Sequence, residues 1–137
     1  MIARFVVRLC GGIWKVKEKA QQGRKFYIVL YNYYQFEHGS SISYKTAFTT
    51  QALFPRGMKQ IVISEYAKIG KNCIIYQQVT IDGALLPNEN EKKAPVIGDN
   101  CYIYPGAKII GDVTIGNNVI IEANSVVKED VASNSHV

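Results

Sequence analysis

Residues 97–127 read IGDNCYIYPGAKIIGDVTIGNNVIIEANSVV, and their period is six. Ile97, Ile103, Ile109, Ile115, Ile121 and Val127 follow one another at that spacing, and upstream Ile63, Ile69, Ile75 and Ile81 do the same. Four residues after these aliphatics a small or modest side chain recurs: Ala67, Cys73, Val79, Cys101, Ala107, Val113, Val119, Ser125 and Val131. Gly70, Gly98 and Gly116 stand directly after the aliphatic position. An α-helix repeats its apolar face every three or four residues and a plain strand every two, so neither produces this pattern.

A parallel β-helix does. Each six-residue unit forms one short flat face, three faces close a triangular coil, and the aliphatic side chain points inward beneath its counterpart in the next coil. The smaller residue fits the tighter space near a corner, and glycine or asparagine turns the chain. Asn72, Asn100, Asn117 and Asn118 stand where such turns fall. Faces of six residues imply left-handed coiling, against the usual right-handed crossover. The stretch from Ile81 to Ile97 breaks the count, and Asp82–Pro95 holds Gly83, Pro87, Asn88, Asn90 and a charged run. That composition predicts a loop ejected from a coil corner at 82–96, either functional or a tolerated insertion.

Before Phe36 the pattern changes. Apolar residues recur at helical spacing, first Phe5, Leu9, Ile13 and Val16, then Phe26, Val29, Leu30 and Tyr33. Gly11-Gly12 and Gly23 interrupt them, which predicts two short helices in place of one long one. The chain therefore divides into a helical, amphipathic segment at 1–36 and a left-handed parallel β-helix at 37–137. Its fold class is all-β with short N-terminal helices. Trp14 and the tyrosines Tyr27, Tyr31, Tyr33 and Tyr34 suit the segment to covering one end of the solenoid, which needs a cap. Contact with another subunit, or peripheral contact with a membrane through 1–36, are the other readings.

The chain has 137 residues, 47% hydrophobic and 20% charged, which excludes a disordered polymer and suits one globular domain. Its net charge is +5. Arg4, Arg8, Lys15, Lys17, Lys19, Arg24 and Lys25 face only Glu18 within residues 1–36. Such a patch suits acidic partners, but no nucleic-acid module accompanies it, so a solvated face is expected and no nucleic acid. Cys10, Cys73 and Cys101 are odd in number and lack metal-ligand spacing, which predicts buried thiols, no metal site and a reducing compartment. Arg4 and Arg8 interrupt the apolar run at 1–14, and no small-residue cleavage site follows. No apolar stretch is long enough to span a bilayer, and the expected location is cytoplasmic.

The segments FPRG (54–57), IVISEYAKIGKNC (61–73), IYQQVTI (75–81), PVIGDNCYI (95–103), GAKIIGDVTIGNNV (106–119) and ANSVV (123–127) together resemble the serine-acetyltransferase-like branch of the hexapeptide-repeat acyltransferases. The resemblance implies a homotrimer with acetyl-CoA in a groove between neighbouring β-helices, and acetyl transfer to a hydroxyl of serine or a sugar. In that chemistry a histidine takes the hydroxyl proton and backbone N–H groups steady the oxyanion. Where the family's motif carries that histidine this chain has Arg56, which cannot act as a base. Gln60 replaces the glycine usual before Ile61.

His38, on the turn Glu37-His38-Gly39, is the candidate base, with a solvated turn residue as its plain reading. His136 is less suited, at the far terminus. Gln77 and Gln78 are able to position a hydroxyl, and Arg56 to bind a carboxylate or phosphate. The resemblance places Gly83, Gly106, Ala107 and Ala123 along the cofactor groove with Tyr104 at its border, each equally explicable as corner packing. Tyr104 and Glu122 stand where relatives more often carry glycine, and the family's Asn-Pro-Ala-Arg type of tail has no counterpart before Val137. A second reading therefore stands beside the first: a catalytically impaired trimeric β-helix, serving as a scaffold or ligand-binding homologue.

Overall fold

The computed structural model describes residues 1–83 and 92–137, so most of the loop expected at 82–96 lies outside the described residues. Three helices precede the strands, where two were expected: α1 (Ile2–Leu9), α2 (Ile13–Gln21) and α3 (Lys25–Glu37). Both glycine interruptions act as full stops. Gly11, Gly12 and Gly23 have φ of 91°, 96° and 79°, a conformation that side chains with a Cβ resist, so the chain is re-aimed between α1 and α2, where Gly12 is the N-cap of α2, and again between α2 and α3.

The strands follow in coils. β1 (Ser41–Ile42) and β2 (Ala47–Phe48) belong to the first; β3 (Val62–Ile63), β4 (Lys68–Ile69) and β5 (Ile74–Ile75) to the second. The third holds β6 (Thr80–Asp82), β7 (Val96–Ile97) and β8 (Tyr102–Ile103). The fourth holds β9 (Lys108–Ile110), β10 (Thr114–Ile115) and β11 (Ile120–Ile121), and β12 (Val126–Val127) opens the fifth. All pairing is parallel and joins adjacent coils. Ile63 stands beside Ile81 and Ile81 beside Ile109; Ile69, Ile97 and Ile115 form a second column, and Ile75, Ile103 and Ile121 a third.

The result is three sheets, β1-β3-β6-β9-β12, β2-β4-β7-β10 and β5-β8-β11, wound as a left-handed parallel β-helix. All these column isoleucines are buried. Each contributes roughly 1.5–3 kcal/mol relative to exposure, so axial stacking and not strand length holds the prism together.

The corners are packed as closely as the faces. A Cβ on Gly70 would lie 2.4 Å from the Gly98 carbonyl oxygen, and one on Gly98 2.5 Å from that of Gly116. Only glycine allows the coils to approach there. Beside this column the Lys71 N–H donates to Asp99 Oδ1 (2.7 Å), Asp99 N–H to Asn117 Oδ1 (2.8 Å) and Asn117 N–H to Ser133 Oγ (2.8 Å). The ladder satisfies corner amides that no sheet reaches. Asn72, Asn100 and Asn118 take the left-handed turn conformation that asparagine tolerates.

The helices cover the first coil. Trp14 lies edge-on to Phe48 at 5.0 Å and stacked with Phe54 at 6.1 Å. Lys17 Nζ donates to the Thr46 carbonyl at 2.8 Å. Buried Gln35 accepts from the Ile42 N–H (3.3 Å) and donates to Met58 Sδ (3.4 Å). A separate core of Ala3, Val7, Val16, Leu30 and Tyr31 holds the helices to one another.

Most apolar positions chosen by helical spacing face the other way: Phe5, Leu9, Phe26, Val29 and Tyr33 are exposed. Cys73 and Cys101 are buried free thiols, and Cys10 is half-buried. Among the described residues no helix is long and apolar enough to cross a membrane, and no cluster of His, Cys, Asp and Glu is placed to hold a metal ion.

Candidate functional site

The prism edge between sheet β5-β8-β11 and sheet β1-β3-β6-β9-β12 is a column of tight turns. The His38 carbonyl accepts from the Gln60 N–H (3.0 Å), Lys59 from Gln78 (3.0 Å), Gln77 from Gly106 (3.1 Å) and Pro105 from Asn124 (3.0 Å). Gln60, Gln78, Gly106 and Asn124 all have positive φ, between 54° and 75°. This column gathers the turns carrying Arg56, Gln77, Gln78, Tyr104, Gly106, Ala107 and Ala123 onto one edge. Gly83 lies elsewhere, beyond the other end of β6, where a Cβ would lie 2.2 Å from the Lys93 carbonyl oxygen.

Along the edge the residues differ in what they offer. The Ala107 side chain is fully buried in the β-helix core, and Gly106 is buried against Asn124, whose Oδ1 would lie 2.2 Å from a Cβ there. Ala123 is exposed. The Tyr104 ring sits 5.4 Å from that of Tyr76 and 6.5 Å from that of Tyr102, forming an aromatic group on the surface of the edge. Glu122 meets the His136 imidazole, both exposed, at the last coil. Arg56 is exposed on a turn closed by the Gly57 N–H to the Phe54 carbonyl (2.9 Å).

Where α1 and α3 meet this edge they border an open cavity of about 560 Å³. His38, Gln77 and Gln78 line it together with Met1, Arg4, Glu37, Lys59 and Gln60; Arg56 does not. His38 caps α3, and its Nδ1 lies 2.7 Å from the Tyr34 carbonyl oxygen. A carbonyl only accepts, so Nδ1 carries a proton, and in the neutral imidazole the lone pair lies on Nε2. The imidazole stacks on the Tyr34 ring with centroids 4.1 Å apart, which fixes its plane.

Glu37 Oε1 meets the Met1 amino group at 2.5 Å, and that group holds the carboxyl below the usual carboxylate range. Glu37 Oε2 and Gln77 Oε1 are buried without hydrogen-bond partners among the described residues. Gln78 Nε2 is taken up by Gln60 Oε1 at 2.9 Å.

The residues lining the cavity thus include an imidazole, the cations Arg4 and Lys59, and two side chains, Glu37 and Gln77, each with a buried acceptor left unpaired among the described residues. The sequence marked His38, Gln77 and Gln78. It did not mark Arg4, Glu37 or Lys59, because these come from three separate segments that only the docking of the helices brings together.

Comparison with known proteins agrees with the architecture. The family model for bacterial transferase hexapeptide (six repeats) matches residues 94–129. A serine acetyltransferase of Staphylococcus xylosus is 49% identical over 77 residues, which is 56% of this chain and 35% of that protein. The crystal structure of serine acetyltransferase isoform 3 from Entamoeba histolytica, in complex with cysteine, superposes with a TM-score of 0.78 at 28% identity, covering 91% of this chain and 45% of that one. Serine acetyltransferase from Neisseria gonorrhoeae in complex with serine gives 0.75 at 28% identity, covering 91% and 50%. The chain spans about a third of the length of the curated relative and about half that of the solved structures.

Proposed function

We propose that this chain, which carries bacterial transferase hexapeptide repeats and is similar to serine acetyltransferases, is a member of the serine-acetyltransferase-like branch of the hexapeptide-repeat acyltransferases and an acetyl-CoA-dependent serine O-acetyltransferase with His38 as general base. The observation that carries the proposal is that Glu37 and Gln77, each with a buried acceptor left unpaired among the described residues, line one cavity with His38, Arg4 and Lys59.

Serine presents three groups to match. Its ammonium donates to the two acceptors, its carboxylate pairs with Arg4 and Lys59, and its hydroxyl proton passes to His38 Nε2. The oxygen then attacks the thioester carbonyl carbon. The tetrahedral oxyanion takes hydrogen bonds from backbone N–H groups, and the C–S bond breaks as the imidazolium returns its proton to the departing sulfur. A neutral sugar would leave both cations unanswered, which favours an amino-acid acceptor.

Acetyl-CoA approaches along the same edge, between neighbouring β-helices of a homotrimer, with Tyr104 at its border. Gly106 and Ala107 offer only backbone to it, Ala123 its exposed methyl, and Gly83 belongs to a more distant corner.

The test is thiol release from acetyl-CoA in the presence of serine. The parent chain turns over, His38→Gln slows it by about 10²–10⁴-fold, and Arg56→Ala stays close to the parent. Full activity in His38→Gln removes the base assignment, and acetyl-CoA binding without serine acetylation removes the acceptor. Arg56, standing in the family's histidine position, favours the second reading of a scaffold or ligand-binding homologue. Failure to bind acetyl-CoA at all would establish that reading.

A further inference from the structure

The helical segment carries a surface that acetyl transfer does not use. α1 turns Ala3 and Val7 inward, and α3 turns Leu30, Tyr31 and Gln35 inward. On other faces of the same helices large apolar side chains form stripes. Ile2, Phe5 and Leu9 recur at i, i+3, i+7, and Phe26, Val29, Tyr33 and Phe36 at i, i+3, i+7, i+10, which puts each set on one side of its helix. These are open to solvent: Phe5 is 65% exposed, Leu9 72% and Phe36 78%. Both helices are therefore apolar on two faces, and only one is covered.

Charge indicates what covers the other. Residues 1–37 hold seven of the sixteen basic residues and two of the eleven acidic ones, a net +5; the remaining hundred hold nine of each and are neutral. The whole positive excess of the molecule therefore sits on the helices. Arg8 and Lys25 are exposed beside the stripes in sequence. A second copy docking through the same face would bring one +5 segment against another. An anionic bilayer surface attracts the bases and accepts the apolar side chains at its headgroup–acyl boundary. Since no described helix is able to cross a membrane, the contact lies in the plane of the interface.

We propose that α1 and α3 dock this protein on an anionic lipid surface, with the two apolar stripes inserted and Arg8 and Lys25 against lipid phosphates. Flotation of the whole chain with vesicles tests it. Binding is expected to phosphatidylcholine vesicles containing about one third phosphatidylglycerol, and to fall by about tenfold or more on phosphatidylcholine alone or in about 0.5 M salt. Phe5→Gln with Phe36→Gln weakens partition by about tenfold or more, and Arg8→Gln with Lys25→Gln does so at roughly fivefold per charge. None of the four lines the His38 cavity, and unchanged unfolding midpoints show that the fold survives.

The proposal falls if anionic vesicles do not retain the parent chain, if neutral vesicles retain it equally, or if neither double variant weakens binding. It falls also if sedimentation shows self-association that Phe5→Gln with Phe36→Gln abolishes, which would make the stripes an interface between copies.

Discussion

In the β-helix each inward column is aliphatic above aliphatic, Ile69 to Ile97 to Ile115, whereas the helical cap turns Ala3, Val7, Tyr31, Gln35 and Lys17 inward and leaves Phe5, Leu9, Phe26 and Phe36 outside. The β-helix carries no net charge and the cap carries all of it. A repeat unit packs against a copy of itself, so the same residue type satisfies every level. The cap instead meets one unique surface, and its inward residues are fitted to that surface: small ones where helices approach, polar ones where Thr46, Ile42 and Met58 present partners.

The sharpest way to break this contrast is to truncate one large apolar residue in each region. Ile103 is fully buried between Ile75 and Ile121, and Ile103→Ala should cost about 3–5 kcal/mol through lost burial and the cavity left behind. Phe5→Gln removes a larger side chain yet should cost less than about 0.5 kcal/mol, because its ring is already in solvent. Urea unfolding of the two variants measures both. Comparable losses would mean that the outward stripe of α1 is a packed surface.

The corner column gives the next effect. Gly98→Ala forces a Cβ to within 2.5 Å of both Asn117 Oδ1 and the Gly116 carbonyl oxygen, and the carbonyl, being backbone, does not move aside. Overpacking of this kind should cost about 1–3 kcal/mol, read as a lower unfolding midpoint. In the cap, Gly12 faces open space and its strain is conformational alone, so Gly12→Ala should cost about 1 kcal/mol. Equal losses at the two glycines would show that axial contact is not what Gly98 supplies.

The β-helix was legible in the sequence for the reason these variants probe. Stacking of coil on coil demands one residue type at one spacing, and the isoleucine period states that directly. The cap was legible only as helices. Both faces of α3 are apolar, so periodicity alone does not say whether Leu30 and Tyr31 or Phe26 and Phe36 are covered. Three helices form where the periodicity predicts two, because Gly11-Gly12 and Gly23 each break the segment. Of the cavity, His38, Gln77 and Gln78 were visible as residues able to handle a hydroxyl. Arg4, Glu37 and Lys59 were not, since nothing local in α1, in the end of α3 or in the first coil's long turn signals that they share a space.

Lys17 offers the finest test of how the cap is fitted to the β-helix. Burial pushes its ammonium down to about 8 from 10.5, while its Nζ donates to the Thr46 carbonyl. Between those two values the unfolded chain holds the proton more often than the folded one, so stability rises with pH across that window. The burial penalty is fully present below about pH 8 and relieved towards 10.5. Tyr31, whose phenol burial pushes up, acts in the opposite sense above pH 10, because only the unfolded chain then loses that proton. The informative quantity is therefore the difference between the parent and Lys17→Met, in which the tyrosine contribution cancels. That difference should shift by on the order of 1–3 kcal/mol in the parent's favour from about pH 8 to about pH 10.5, measured by urea unfolding. A flat profile for Lys17→Met would mean that its charge stays solvated, and that the polar seam between cap and first coil is open to water where α2 meets Thr46.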